Sequence, residues 1–178
     1  MGRRNYLIGG VSGTGKTAVC TELQRRGYQA SHGDRELAYR GDPETGTPTD
    51  PETGTPTATW MHEHHLWDVE KVKALIANQE EAVTFFCGGS RNLSKFIALF
   101  DGVFVLEVDL DTCLQRIDER VALDPTDFGA KPAERELAAR LHQTREDIPK
   151  TGMIIDATAP LARVVDEILR LSDANTPL

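Results

Sequence analysis

Short apolar runs bounded by glycine or polar residues alternate along the chain with stretches whose apolar positions recur three or four apart. Tyr6-Leu7-Ile8, Val83 to Cys87, Val103 to Val108 and Met153-Ile154-Ile155 have the length and apolar continuity of strands buried on both faces. Tyr28 to Ser31 reads as a shorter second strand. Between them, Val19, Cys20 and Leu23 keep helical spacing, as do Val69, Val72 and Ile76 behind a capping Asp68. A helix is expected around Leu93 to Phe100, and another behind Asp111 with Leu114, Ile117 and Val121 inward. Residues 134–146 are amphipathic through Leu137 and Leu141, and Pro160 opens a last helix carrying Leu161, Val164, Val165, Ile168 and Leu169. Strands alternating with helices predict an α/β fold, a five-stranded parallel sheet covered on both faces.

One stretch breaks this rhythm. From Gly41 to Thr59 the chain is rich in Pro, Gly, Thr and acidic residues, and the octapeptide DPETGTPT occurs twice in succession, at 42–49 and 50–57. Neither copy can bury anything, so a solenoid is excluded and a surface loop lengthened by duplication, partly extended and mobile, is expected. The next eight residues, WMHEHHLW, place His62, His64 and His65 between Trp60 and Trp67.

With 178 residues the chain is expected to form a single domain, 1–178. A net charge of −8 disfavours an extended nucleic-acid or anionic-membrane surface. The three cysteines, Cys20, Cys87 and Cys113, are odd in number and sit among apolar neighbours, which points to buried free thiols in a reducing compartment. The N-terminus runs straight into the first strand and no apolar stretch approaches membrane-spanning length, so a cytoplasmic protein is expected.

Chemistry enters at Gly10 to Thr17, GVSGTGKT, which fits G-x-x-x-x-G-K-[ST] immediately after a strand and before a helix. Such a loop lets successive backbone N–H groups and a helix N-terminus face phosphate oxygens. The expected donor-nucleotide contacts are Gly10, Ser12, Gly13, Thr14, Gly15, Lys16, Thr17 and Ala18, with Lys16 reaching the β and γ phosphates of ATP and Thr17 coordinating Mg2+.

In open α/β sheets ligands lie beyond the carboxyl ends of the strands, so the residues just after each strand discriminate between functions. Hydrolysing P-loop ATPases place a carboxylate after the third strand; here Gly88-Gly89 stands there, leaving room for a second substrate. Asp34 is then the candidate to hold magnesium or accept a proton from an attacking hydroxyl, the alternative being a helix cap. Arg116 and Arg120, four apart on one helical stripe, either stabilise charge on a transferring phosphoryl group or pair on the surface with Asp118, Glu119 or Asp124. Arg91 either grips an acceptor or caps a helix. The histidine cluster fails the H-E-x-x-H spacing of a zinc site, and Trp60 and Trp67 either stack on a planar substrate or anchor the helix.

With a P-loop after strand one, an acidic residue after strand two, a glycine pair after strand three and arginines before a short flexible loop, the chain resembles the small-molecule branch of the P-loop kinases. That branch includes shikimate, gluconate, nucleoside and nucleotide kinases. The resemblance implies an acceptor-binding segment over 34–82, with Asp34, Arg35, Trp67, Gly88, Gly89 and Arg91 at the substrate, and a lid over ATP at 122–132. It implies catalytic roles for Lys16, Asp34, Arg116 and Arg120, magnesium held by Thr17 and Asp34, and a monomer or homodimer. Gly88-Gly89-Ser90 resembles the glycine-rich turn of shikimate kinases, whereas the paired D-x-D after strand two is missing because position 32 is His. The expected activity is ATP- and magnesium-dependent phosphotransfer to a small molecule, a nucleoside or nucleotide first. The alternatives are a nucleotide-binding regulator or slow NTPase without a small-molecule acceptor, and a shikimate- or gluconate-type metabolite kinase. A kinase acting on an RNA end or an antibiotic is a further possibility.

Overall fold

A computed structural model describes residues 3–172. In chain order the elements are β1 (Arg4–Gly9), α1 (Lys16–Arg25), β2 (Gln29–His32), α2 (Gly33–Glu36), β3 (Ala38–Arg40), α3 (Ala58–Glu63), β4 (His65–Trp67), α4 (Val69–Ala77), β5 (Val83–Cys87), β6 (Gly102–Glu107), α5 (Leu110–Leu123), α6 (Pro132–Thr144), β7 (Met153–Asp156) and α7 (Leu161–Leu171). The five longer strands make one parallel sheet in the order β2-β5-β1-β6-β7, with β1 at its centre.

The strands read as unbroken apolar runs because both faces are covered. In β1, Ile8 packs with Val19, Leu23, Phe104 and Ile168 on one side, while its neighbour Leu7 packs with Phe86, Val105 and Trp67 on the other. Phe85 and Phe86 of β5 divide between the same two cores. The three cysteines are buried free thiols, and among the described residues no helix is long and apolar enough to cross a membrane.

Three expectations need correction. The segment 93–100 is not a helix but two 3-10 turns, Leu93–Lys95 and Ile97–Leu99, because Phe96 takes φ −138 and turns inward to stack on Trp67 at a ring separation of 5.7 Å. Asp109, not Asp111, caps α5, accepting from the Thr112 amide at 2.8 Å. The helix α5 continues through Leu123, so the connection to α6 spans 124–131, slightly shorter than the lid read from sequence. The repeat lies inside an antiparallel hairpin, β3 with β4, and its two copies differ. In the first, Asp42 Oδ1 accepts from the Glu44 and Thr45 amides, Gly41 bridges Pro48, and Lys95 donates to Glu44 O at 2.7 Å. In the second, Thr57 caps α3 by accepting from the Trp60 amide. Asp68 caps α4 as its position predicts.

Candidate active site

Between β1 and α1 the chain folds back on itself. Gly10 (φ 145), Gly13 (φ 87) and Gly15 (φ 102) occupy backbone conformations closed to most side chains. A Cβ on Gly10 would stand 2.7 Å from Thr14 Oγ1 and 2.8 Å from Leu106 O, so the turn closes only with hydrogen there. Thr14 Oγ1 donates to Val11 O at 2.8 Å and the Cys113 thiol to Ser12 O at 2.8 Å, fixing the loop from inside and from α5. Lys16 Nζ donates to the carbonyls of Gly10 (2.6 Å) and Val11 (3.0 Å). Burial pulls the Lys16 ammonium below its usual range, and Arg120 adds to the effect while Asp34 opposes it. Thr17 and Ala18 open α1 on the floor of a cavity of about 730 Å³.

Both sequence-selected arginines of α5 turn to this loop, and neither side chain pairs with Asp118, Glu119 or Asp124. Arg116 donates to Thr14 O at 3.2 Å and to Ala157 O at 2.8 Å, tying the loop to the segment after β7. Arg120 donates to Ser12 Oγ at 3.2 Å and to Phe128 O at 3.0 Å, and lies 3.2 Å from Asp127, so it joins the P-loop to the 124–131 connection. Asp118 pairs with Arg135 instead.

Across the cavity stands Asp34, in the single turn of α2, where it caps nothing. Its Oδ1 accepts three hydrogen bonds: from His65 Nε2 (3.0 Å), Trp67 Nε1 (3.1 Å) and the Gly89 amide (3.2 Å). Burial alone would raise this carboxyl. The His65 bond, the Lys16 charge and the indole outweigh it and hold Asp34 below the ordinary carboxylate range, ionised at neutral pH. Among the described residues no donor occupies Oδ2.

Trp67 is fully buried, stacked on Phe96, with its backbone clasped by Asn92 through bonds of 3.1 and 2.9 Å. Its ring edge fits between two glycines: a Cβ on Gly33 would come within 2.1 Å of the indole, and one on Gly88 (φ 141) within 2.8 Å. The indole therefore supports Asp34 from beneath and offers no face to a substrate, which corrects the expectation that Trp67 contacts the acceptor. Arg35, Gly88, Gly89 and Arg91 do line the cavity.

Arg91 caps no helix. It donates to Asp147 Oδ1 at 2.6 Å, and the other Asp147 oxygen lies 2.8 Å from His62 Nε2. The three neighbouring histidines go separate ways: His62 to Asp147, His65 to Asp34, and His64 onto the ring of Trp60 at 4.0 Å. Sequence reasoning missed Asp147 altogether, because a lone carboxylate in the loop after α6 carries no local signal. It missed the pairing of His65 with Asp34 because the β3–β4 hairpin that joins them consists of three-residue strands.

A glycine-rich loop at a helix N-terminus, lining one cavity of a parallel sheet together with a carboxylate, defines the P-loop nucleotide-binding fold. The AAA domain family matches the chain over residues 7–142, and the chain belongs to that family. No curated protein sequence matches it. Among solved structures it is similar to a shikimate kinase from Acinetobacter baumannii in complex with shikimate, with a TM-score of 0.57, 20% identity, and coverage of 96% of that chain and 99% of this one. A gluconokinase from Sinorhizobium meliloti 1021 gives TM-score 0.55 and 17% identity, with 94% of that chain and 96% of this one covered. Deoxyadenosine kinase from M. mycoides with bound dATP gives 0.50 and 13%, with coverage of 99% and 95%. The fold is that of the small-molecule P-loop kinases.

Proposed function

We propose that the chain is an ATP- and magnesium-dependent phosphotransferase whose acceptor is a small molecule, a nucleoside or nucleotide in the first place. The observation that carries this reading is Asp34: a carboxylate clamped through one oxygen, lining the same cavity as Lys16. A glycine pair occupies the position where hydrolysing relatives activate water. That the chain is similar to sugar-acid and nucleoside kinases over almost its whole length supports the same reading.

In this account the P-loop amides and Lys16 hold the donor phosphates. Positioning of donor and acceptor supplies most of the rate, since little covalent work is left to the protein. Thr17 and Asp34 would hold magnesium, which when bound offsets charge on the donor phosphates. In the alternative role Asp34 takes the proton of the attacking hydroxyl instead. Arg120 meets charge developing on the transferred group, and the 124–131 connection it already touches excludes water. Arg116 serves the same end by fixing the P-loop.

ADP release from ATP and magnesium, measured with nucleosides, nucleoside monophosphates, gluconate and shikimate in turn, tests the proposal. One acceptor is expected to raise the rate well above the water background. Lys16→Ala is expected to lower it at least about a hundredfold while the circular dichroism spectrum stays native. ATP binding with no acceptor response would favour a nucleotide-binding regulator.

A further inference from the structure

If the large cavity is a phosphotransfer site, one end of it must select the acceptor, and the Arg91–Asp147 pair stands there. Arg91 holds one oxygen of Asp147 at 2.6 Å, and His62 Nε2 lies 2.8 Å from the other. The Arg91 backbone is fixed as well, its amide donating to His65 O at 2.9 Å. A guanidinium has several N–H donors, so Arg91 keeps others for a ligand after pairing, but its charge is already matched. An incoming carboxylate or phosphate would have to break that pair, or lie against Asp147 at close range. A neutral hydroxyl or carbonyl oxygen needs neither and accepts from the remaining N–H groups.

The surroundings act in the same direction. Past Arg91 the cavity opens into an outer hollow of about 880 Å³ whose rim carries Asp42, Glu44, Glu63 and Glu146. Like charges along the approach oppose an anion and leave a neutral acceptor unaffected.

We propose that Asp147 is a specificity-determining residue that neutralises Arg91 and restricts the acceptor to an uncharged, polyhydroxylated molecule of the nucleoside class, excluding sugar acids and nucleoside monophosphates. The proposal rests on the phosphotransferase reading for its chemistry, and its test is read by binding.

With the donor side saturated by magnesium and a non-hydrolysable ATP analogue, calorimetry would measure thymidine, adenosine, their monophosphates and gluconate against the native chain. The same titrations would be run on Asp147→Asn and on Arg91→Gln/Asp147→Asn. The native chain binds a nucleoside more tightly than its monophosphate. Asp147→Asn tightens binding of the monophosphates and gluconate by about tenfold or more, the range of a freed charge-assisted bond, and the double variant loses that gain. Anion affinities unchanged by Asp147→Asn overturn the proposal. So does a native chain that binds monophosphate or gluconate at least as tightly as nucleoside, a comparison that needs no variant to fold. A nucleoside that binds but releases no ADP in the catalytic assay contradicts the phosphotransferase reading and leaves the selectivity standing.

Discussion

Asp34 is one residue acted on by three others, and each partner can be removed separately. Trp67→Phe keeps a ring to stack on Phe96 but deletes the N–H that Asp34 Oδ1 accepts at 3.1 Å. The expected cost is about 1 kcal/mol of stability, typical for one hydrogen bond, with a fall in kcat and little change in KM for ATP. Equal losses in both kinetic constants would mean that the indole shapes the donor site instead. Asp147 makes a second residue-level prediction. Burial would raise its carboxyl, but His62 and Arg91 hold it below the ordinary range. A depressed carboxylate adds stability above its unfolded pKa, about 3.9 for Asp, and loses it as pH falls through the folded value. Asp147→Asn is therefore less stable than the native chain at pH 7 in urea titrations, and the gap closes toward pH 3. A gap that does not change with pH would contradict this ion pair. The position of Asp34 on the cavity was legible in sequence because it follows a strand in a chain with a P-loop. Its clamp was not, since His65 and Trp67 reach it from the far side of the repeat.

The hairpin β3–β4 carries that clamp, and its fit is tight. Gly33→Ala would set a methyl 2.1 Å from the buried indole, and the required shift is expected to cost about 1–3 kcal/mol in chemical denaturation. A neutral Gly33→Ala would show that the indole has room to move. The repeat shows why some elements could not be read ahead. Identical octapeptides adopt different structures because the first is held by Tyr39 and Lys95 while the second leads into α3. A glutamate-specific protease is accordingly expected to cut after Glu52 before Glu44, whose amide and carbonyl are both bonded. Cleavage in the reverse order, seen by mass spectrometry, would refute the distinction. The parallel strands were legible because burial on two faces leaves continuous apolar runs. Three-residue strands and a 3-10 segment leave no such pattern, and the helix expected at 93–100 gave way to the need to bury Phe96.

Seen whole, the molecule brings three separate parts of the chain to one loop. Arg116 ties the P-loop to the segment after β7, Arg120 ties it to the 124–131 connection, and Cys113 holds its underside from α5. On the opposite wall α2 carries Asp34, held by His65 and Trp67 of the hairpin, and the loop after α6 brings Asp147 to Arg91. In the proposed reading this arrangement serves transfer between two bound molecules rather than attack by water. Phosphorus NMR of the chain with ATP, magnesium and a nucleoside tests that most directly. The account predicts a new phosphomonoester resonance on the acceptor that grows as ATP is consumed and is absent with Lys16→Ala. Inorganic phosphate as the only product, at a rate the acceptor does not change, would contradict it.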